Sequence, residues 1–321
     1  MNGQMSMVNR KVFSFFAFVV VALLLLATSV RQSGSEPLIA ATASSDNILI
    51  ALPHTLPCQI NEGTAPELTA RAVLVIEPES QTILYQYRPD EKLPIASLTK
   101  LMTALVAFKN LPLSREVYVR TVENNGSQMG LMLDETLSVE SLLWGLLLNS
   151  GNDAAVSLGQ AYPGGISAFV NEMNRKAGEL NLQDTHFVNL VGWHDSQHYS
   201  TVMDMALLSK NFLNQPFLAQ LVSTQSKIVT SIPREKSSCA CNTSVPVIVK
   251  RWYHLKNTHP LLGEVDGVTG IKTGYTQEAG ECLITYVDRS GQKLLIIILG
   301  SDDRDAETKA LINWSYKNWR W

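Results

Sequence analysis

The chain has 321 residues, with 26 Lys plus Arg against 29 Asp plus Glu, a formal net charge of −3 that gives nucleic acid no basic surplus to bind. Hydrophobic residues make up 45% and charged residues 17%, which excludes disorder for the chain as a whole. Enough sequence remains beyond its most apolar segment for one large core or two smaller ones.

That segment comes first. Val12 to Val30 is a run of nineteen residues without a charge, preceded by Arg10 and Lys11. A positive flank stays on the cytoplasmic side, so the remainder is sent across the membrane. Two readings stand open for residues 1–30. Ala27-Thr28-Ser29 suits a signal-peptide cleavage site, whereas the length of the run favours an uncleaved anchor. Residues 31–66, rich in Ser, Ala, Thr and Pro, read as a linker, and ordered structure is expected from near Leu68.

Ala72–Ile76 and Thr82–Tyr87 read as two strands joined by the turn Glu77-Pro78-Glu79-Ser80. From Leu98 to Phe108 the apolar residues recur at helical spacing. Leu137–Leu148 is a second helical stretch, Ala154–Gln160 begins a third, and Phe169–Leu180 and Val202–Leu213 are two more. Strands at Glu281–Val287 and Lys293–Leu299 and a last helix from about Asp305 close the chain. Strands at both ends with helices between predict an α+β fold, one antiparallel sheet assembled from both chain ends beside a helical region. Of the four cysteines, Cys58, Cys239 and Cys241 occupy positions suited to disulfide staples, and Cys282 reads as a buried thiol.

Chemistry first shows at Ser97-Leu98-Thr99-Lys100, at the opening of a helix. A serine there is ordinarily a cap. Placed three residues apart, however, Ser97 and Lys100 share one helix face. A desolvated amine can take the proton that a serine hydroxyl must lose before it attacks. The spacing alone is a weak signal, since Ser290-Gly291-Gln292-Lys293 repeats it across a turn. Ser150-Gly151-Asn152 forms a polar corner after the second helix, either a C-cap with Gly151 providing the turn or a proton relay, with Asn152 holding Lys100 and a substrate amide. Lys272-Thr273-Gly274 reads either as an edge strand with a solvated lysine or as a carboxylate seat with room for a substrate backbone.

In this order the three elements resemble the SxxK, SxN and KTG motifs of the penicillin-recognising serine acyl-transfer enzymes, and most of all the D-alanyl-D-alanine carboxypeptidase family of low-molecular-weight penicillin-binding proteins. The matching segments are Pro94 to Ala104, Ser150 to Ala155 and Gly270 to Thr276, with smaller echoes at Tyr199-Ser200-Thr201, Asp204 and Trp314. The resemblance implies a β-lactamase/transpeptidase-like fold over a catalytic domain at 67–321. It implies Ser97 as nucleophile, Lys100 as general base, Ser150 as proton shuttle and Asn152 as a positioning residue. Lys272, Thr273 and Gly274 would seat the terminal carboxylate, with Arg304 as a second carboxylate partner. The backbone N–H groups of Ser97 and Tyr275 would form the oxyanion hole. The implied partners are peptidoglycan stem peptides and β-lactams, with no metal or cofactor.

Departures accompany the likeness. Where the family usually shows Asn-Pro-x-Gly-Leu, this chain has Asn189-Leu190-Val191-Gly192-Trp193, and the interval from Ser97 to Ser150 is short. Many members continue into a second, β-rich domain with a membrane helix; here the sequence runs to Trp321, so residues 12–30 are expected to hold the enzyme at the membrane if it works there. Three rival readings are a penicillin-binding receptor without turnover, a β-lactamase, and a zinc hydrolase suggested by His194-Asp195-Ser196-Gln197-His198. The polar surroundings of that last stretch argue against a ligand-bearing helix.

Overall fold

A computed structural model describes residues 56–236 and 247–321. The apolar segment at 12–30, most of the linker, and Cys239 and Cys241 lie outside the described residues.

Five antiparallel strands form the main sheet: β1 (Ala72–Glu77), β2 (Thr82–Tyr87), β3 (Val268–Thr276), β4 (Gly280–Arg289) and β5 (Gln292–Ser301), in the order β3-β4-β5-β1-β2. The expected assembly from both chain ends is thus made at the β5–β1 junction, where Leu295 faces Ile76 and Leu299 faces Ala72. Every residue of β1 is buried, as are six consecutive residues of β5, because both faces of the sheet are covered. On one face Leu74, Ile284 and Ile297 pack into the helical region; on the other Val73, Leu283 and Ile296 pack against Leu311 and Ile312. Glu77 closes the β1–β2 turn by accepting from Ser80 N at 2.6 Å and Glu79 N at 3.2 Å.

The helices are α1 (Lys100–Asn110), α2 (Val139–Leu148), α3 (Asn152–Ala161), α4 (Gly165–Glu179), α5 (Val202–Leu213), α6 (Pro216–Ser223) and α7 (Arg304–Asn318). Among the described residues no helix is long and apolar enough to cross a membrane. The boundaries of α5 match the sequence expectation, and Thr201 caps it by accepting from Asp204 N.

Three expectations need correction. The second helix begins at Val139, because Thr136–Ser138 pairs with Glu116–Tyr118 and Ser138 Oγ caps the helix by accepting from Ser141 N at 3.1 Å. The short helix α6, with Pro216 in its first turn, was not expected, nor was the pairing of Ser226–Thr230 with Trp252–Lys256. Order also starts before Leu68: Cys58–Gln59 pairs with Trp319–Arg320, and Trp314 Nε1 donates to Gly63 O at 3.0 Å. The Trp314 indole meets the Tyr85 ring edge-on at 5.9 Å. Cys282 is a buried thiol, as expected, and Cys58 is exposed.

Candidate active site

Ser97 lies in a 3₁₀ turn, Ala96–Thr99, immediately before α1. In 3₁₀ geometry side chains three apart eclipse one another, more closely than on an α-helix. Lys100 Nζ accordingly lies 2.7 Å from Ser97 Oγ and donates to Val191 O at 3.0 Å. Lys100 is fully buried. Burial holds its pKa well below the usual lysine value, Lys272 adds to the effect, and Asp153 opposes it.

The turn is braced from behind. Ala96 has φ +46°, an uncommon conformation for a residue with a Cβ. Its carbonyl accepts from Thr99 Oγ1 at 2.8 Å, Thr99 Oγ1 meets His198 Nε2 at 2.7 Å, and Val188 N donates to His198 Nδ1 at 3.2 Å. With Nδ1 accepting, Nε2 carries the hydrogen, so the chain runs in one direction to Ala96 O. Burial pushes the His198 pKa down to about 4, which keeps the ring neutral. Both ring nitrogens are thereby occupied, and the stretch read as a zinc pattern lies outside any helix.

The departure at 189–193 preserves the parts that matter locally. Asn189 Oδ1 accepts from the N–H groups of Val191, Gly192 and Trp193, and its Nδ2 donates to Trp193 O at 3.0 Å. Gly192 has φ +91°, and a Cβ there would fall 1.8 Å from Ala96 O. Only glycine lets this loop reach the nucleophile's turn and present Val191 O to Lys100.

At the second motif the left-handed residue is Ser150, φ +56°, not Gly151. Gly151 is required for space: a Cβ would lie 2.8 Å from Asp153 Oδ1 and 3.0 Å from Met129 N. Asp153 is fully buried and accepts from four backbone N–H groups, Met129 and Ala154 on Oδ1, Gly130 and Leu131 on Oδ2. It clamps Met129 to Leu131 onto the corner. The expected Asn152–Lys100 contact is absent among the described residues: Asn152 Nδ2 donates to Asn125 O at 2.6 Å, so Asn152 faces the clamped loop and Val191 O takes its place at Lys100.

Lys272 is buried on the edge strand β3, not solvated. Its Nζ donates to Ser150 Oγ at 2.9 Å and Thr273 O at 3.0 Å. Burial and the nearby Arg304 push its pKa down to about 7. A Cβ on Gly274 would stand 3.1 Å from Ser97 N and Ile95 O, so the missing side chain lets the strand lie against the nucleophile's turn. Arg304 donates to Gly274 O at 2.7 Å and lies near Glu281 and Asp305. Ser97, Ser150, Asn152, Thr273, Gly274, Tyr275 and Arg304 all line one cleft of about 540 Å³, together with Gly126, Ser127 and Trp193. Lys100 and Lys272 reach it through the two serines. Sequence reasoning missed Asp153, Asn189 and the Thr99–His198 brace; Asp153 was legible only as part of the quoted motif.

A family model described as D-alanyl-D-alanine carboxypeptidase, of the S11 peptidases, matches residues 59–303. A D-alanyl-D-alanine carboxypeptidase of Bacillus subtilis, DacF, is 30% identical over 260 residues; the match covers 78% of this chain and 63% of the relative, so the chain spans under two thirds of that protein's length. A D-alanyl-D-alanine endopeptidase of Pseudomonas aeruginosa is 32% identical over 255 residues, 77% of each chain. The crystal structure of the Streptomyces K15 DD-transpeptidase superposes with a TM-score of 0.71 at 28% identity, covering 79% of this chain and 100% of that one.

Proposed function

The chain belongs to the D-alanyl-D-alanine carboxypeptidase family, and from that premise we propose that it is a penicillin-sensitive serine DD-peptidase removing the terminal D-Ala from peptidoglycan stem peptides. The observation that carries this reading is the 2.7 Å contact between Ser97 Oγ and the fully buried amine of Lys100.

In the proposed reaction Ser97 Oγ attacks the carbonyl of the penultimate D-Ala and its proton passes to the neutral Lys100 amine. The N–H groups of Ser97 and Tyr275 receive the oxyanion. Ser150 delivers its proton to the departing nitrogen and takes in its place the one held by Lys100, which leaves that amine neutral again; the C–N bond breaks, and D-Ala leaves. Water then attacks the ester, giving its proton back through Lys100, and Ser97 is restored. Protonated Lys272, with Thr273, seats the carboxylate of the departing residue. Asn152 positions the substrate amide from the clamped corner. Arg304 supports the seat through Gly274 O and as a fixed positive charge.

The substrate lies outside the cytoplasm, and residues 12–30 serve as export signal or membrane anchor. Mass spectrometry of the protein incubated with a D-Ala-D-Ala pentapeptide tests the reading: released D-Ala with a tetrapeptide product, and an adduct on Ser97 with penicillin, are expected. An adduct elsewhere, or none, overturns it. A penicillin adduct that lasts minutes to hours separates this reading from a β-lactamase, which would clear it.

A further inference from the structure

Ser226–Thr230 and Trp252–Lys256 form a two-stranded antiparallel ribbon, separate from the main sheet. Its inner face belongs to the core: Val229, Tyr253 and Leu255 are buried in the same cluster as Leu142 and Leu146 of α2. Strand alternation puts Ile228 and Trp252 on the other face. In the observed register Ile228 faces His254 and Thr230 faces Trp252, so the two apolar side chains are diagonal neighbours. They are 51% and 60% exposed. An indole and an aliphatic side chain placed side by side in water gain by being covered.

The charges around them are of one sign. Lys227, Lys250, Arg251 and Lys256 lie in or next to the two strands, which carry no carboxylate, in a chain whose net charge is −3. Arg251 is paired with Glu135, Nε to Oε1 at 2.8 Å, and the Tyr253 hydroxyl donates to the same carboxylate. Lys227, Lys250 and Lys256 are exposed and have no carboxylate partner among the described residues. Lys250 Nζ lies 5.0 Å from the centre of the Trp252 ring, and Lys227 Nζ 4.9 Å from that of Trp144.

An anionic bilayer surface satisfies this combination. An indole settles at headgroup level, an aliphatic side chain reaches the acyl boundary, and ammonium groups meet lipid phosphates. A soluble anionic polymer would engage the lysines and leave Ile228 uncovered.

We propose that the outer face of this ribbon is a docking surface for anionic phospholipid, holding the catalytic domain against the membrane. The second strand runs through Asn257 into Thr258, which lines the catalytic cleft and whose N–H donates to Leu148 O at 3.1 Å. Docking at the ribbon therefore sets the orientation of the cleft over the bilayer, which a single point of attachment does not do. The surface is independent of the serine chemistry.

Tryptophan emission tests it, on the full chain in nanodiscs whose lipids carry bromine, a contact quencher, on their acyl chains. Residues 12–30 contain no tryptophan, so insertion of that segment adds no quenching. With about one third phosphatidylglycerol in phosphatidylcholine, wild type is expected to be quenched. The quenching should fall by about half or more between about 0.01 M and 1 M salt, as the screening length shrinks from about 30 to 3 Å. Trp252→Phe should lose most of it. Reversing the three lysines together, Lys227→Glu, Lys250→Glu and Lys256→Glu, should bring it down to the level of wild type on phosphatidylcholine alone, and thermal melts check that the variants are folded. If the triple variant does not fold, Trp252→Phe and the two lipid compositions decide. Equal quenching of wild type and Trp252→Phe, or of wild type on charged and neutral lipid, overturns the proposal. So does the absence of quenching, the result expected if the lysines serve a soluble polyanion. Failure of penicillin to label Ser97 would overturn the catalytic reading and leave these results as they stand.

Discussion

The cleft holds two serine–lysine pairs made of the same atoms, and their difference lies in how the chain assembles them. Ser97 and Lys100 belong to one turn, so their 2.7 Å contact follows from local 3₁₀ geometry. Ser150 and Lys272 are 122 residues apart and meet at 2.9 Å only because a helix end and a sheet edge are packed together. Both lysines are buried, yet their charged neighbours differ: Lys100 answers to Lys272 and Asp153, Lys272 to Arg304. While Lys272 keeps its proton, its charge helps keep Lys100 neutral. One amine is thereby suited to accept a proton and the other to bind an anion.

Removing the hydroxyls breaks the comparison most strongly. Ser97→Ala should abolish D-Ala release and penicillin labelling together. Ser150→Ala should leave labelling detectable but slow acylation roughly 10²- to 10⁴-fold, the range of a lost proton relay. Stopped-flow acylation with a chromogenic β-lactam measures both; equal losses would mean that the two serines do not divide the work as proposed.

The lysines come next. Lys100→Met should lower the acylation rate with little change in ligand affinity. Lys272→Met should chiefly weaken binding of carboxylate-bearing ligands, by roughly 10- to 150-fold for a charge-assisted hydrogen bond. A Lys272→Met variant with a normal KM and a collapsed kcat would reverse the assignment.

Each pair also has its own support, and each support can be removed separately. Gly192→Ala would drive a Cβ into Ala96 O and disturb the loop that offers Val191 O to Lys100. Strain at its positive φ should lower the melting temperature by roughly 5 to 10 °C. Asp153→Asn leaves the shape but sets an NH₂ against backbone N–H donors, which should cost about 1–3 kcal/mol and loosen the segment 125–131 around Asn152. Thermal melts beside acylation rates check both, and the first variant should harm the Ser97 pair more than the second does.

How much of this was legible in the sequence follows the same division. Ser97 with Lys100 could be read because three-residue spacing implies a shared face in any helical turn. The sheet strands and α5 were legible because apolar runs and periodicity are local signals. Lys272 gave no sign of burial, since what covers it comes from Ser150 and the sheet's packing. Asn152 was aimed at Lys100 from its place in the polar corner after the second helix, but its partner is set by a loop 27 residues away. His198 entered only through the rival zinc pattern that its neighbours in sequence suggested; its partner Thr99 is 99 residues distant. Ser150 took the left-handed position assigned to Gly151, because Gly151 is needed where Met129 and Asp153 crowd its α-carbon.

The smallest expected effect sharpens the comparison through pH. Lys272 is held down to about 7, first by burial and second by Arg304. Its ammonium form prevails below that value, so affinity for carboxylate-bearing ligands should be strongest there and weaken as pH rises through about 7. Lys100 works in the opposite sense, because its neutral form is the one that accepts a proton, and its pKa lies well below the usual lysine value. Arg304→Gln removes the second cause acting on Lys272 and leaves burial, the larger one. The alkaline limb of binding should therefore move up by a modest interval. His259, which also lies near Lys272, is held by burial down to about 3 and stays neutral across this window, so it does not contribute to that limb. Inhibition constants for a carboxylate ligand, measured from pH 5 to 10 on wild type and Arg304→Gln, check the shift. A limb that stays fixed would mean that Arg304 acts on the seat only through its bond to Gly274 O, and a downward shift would contradict the electrostatic account of the second pair.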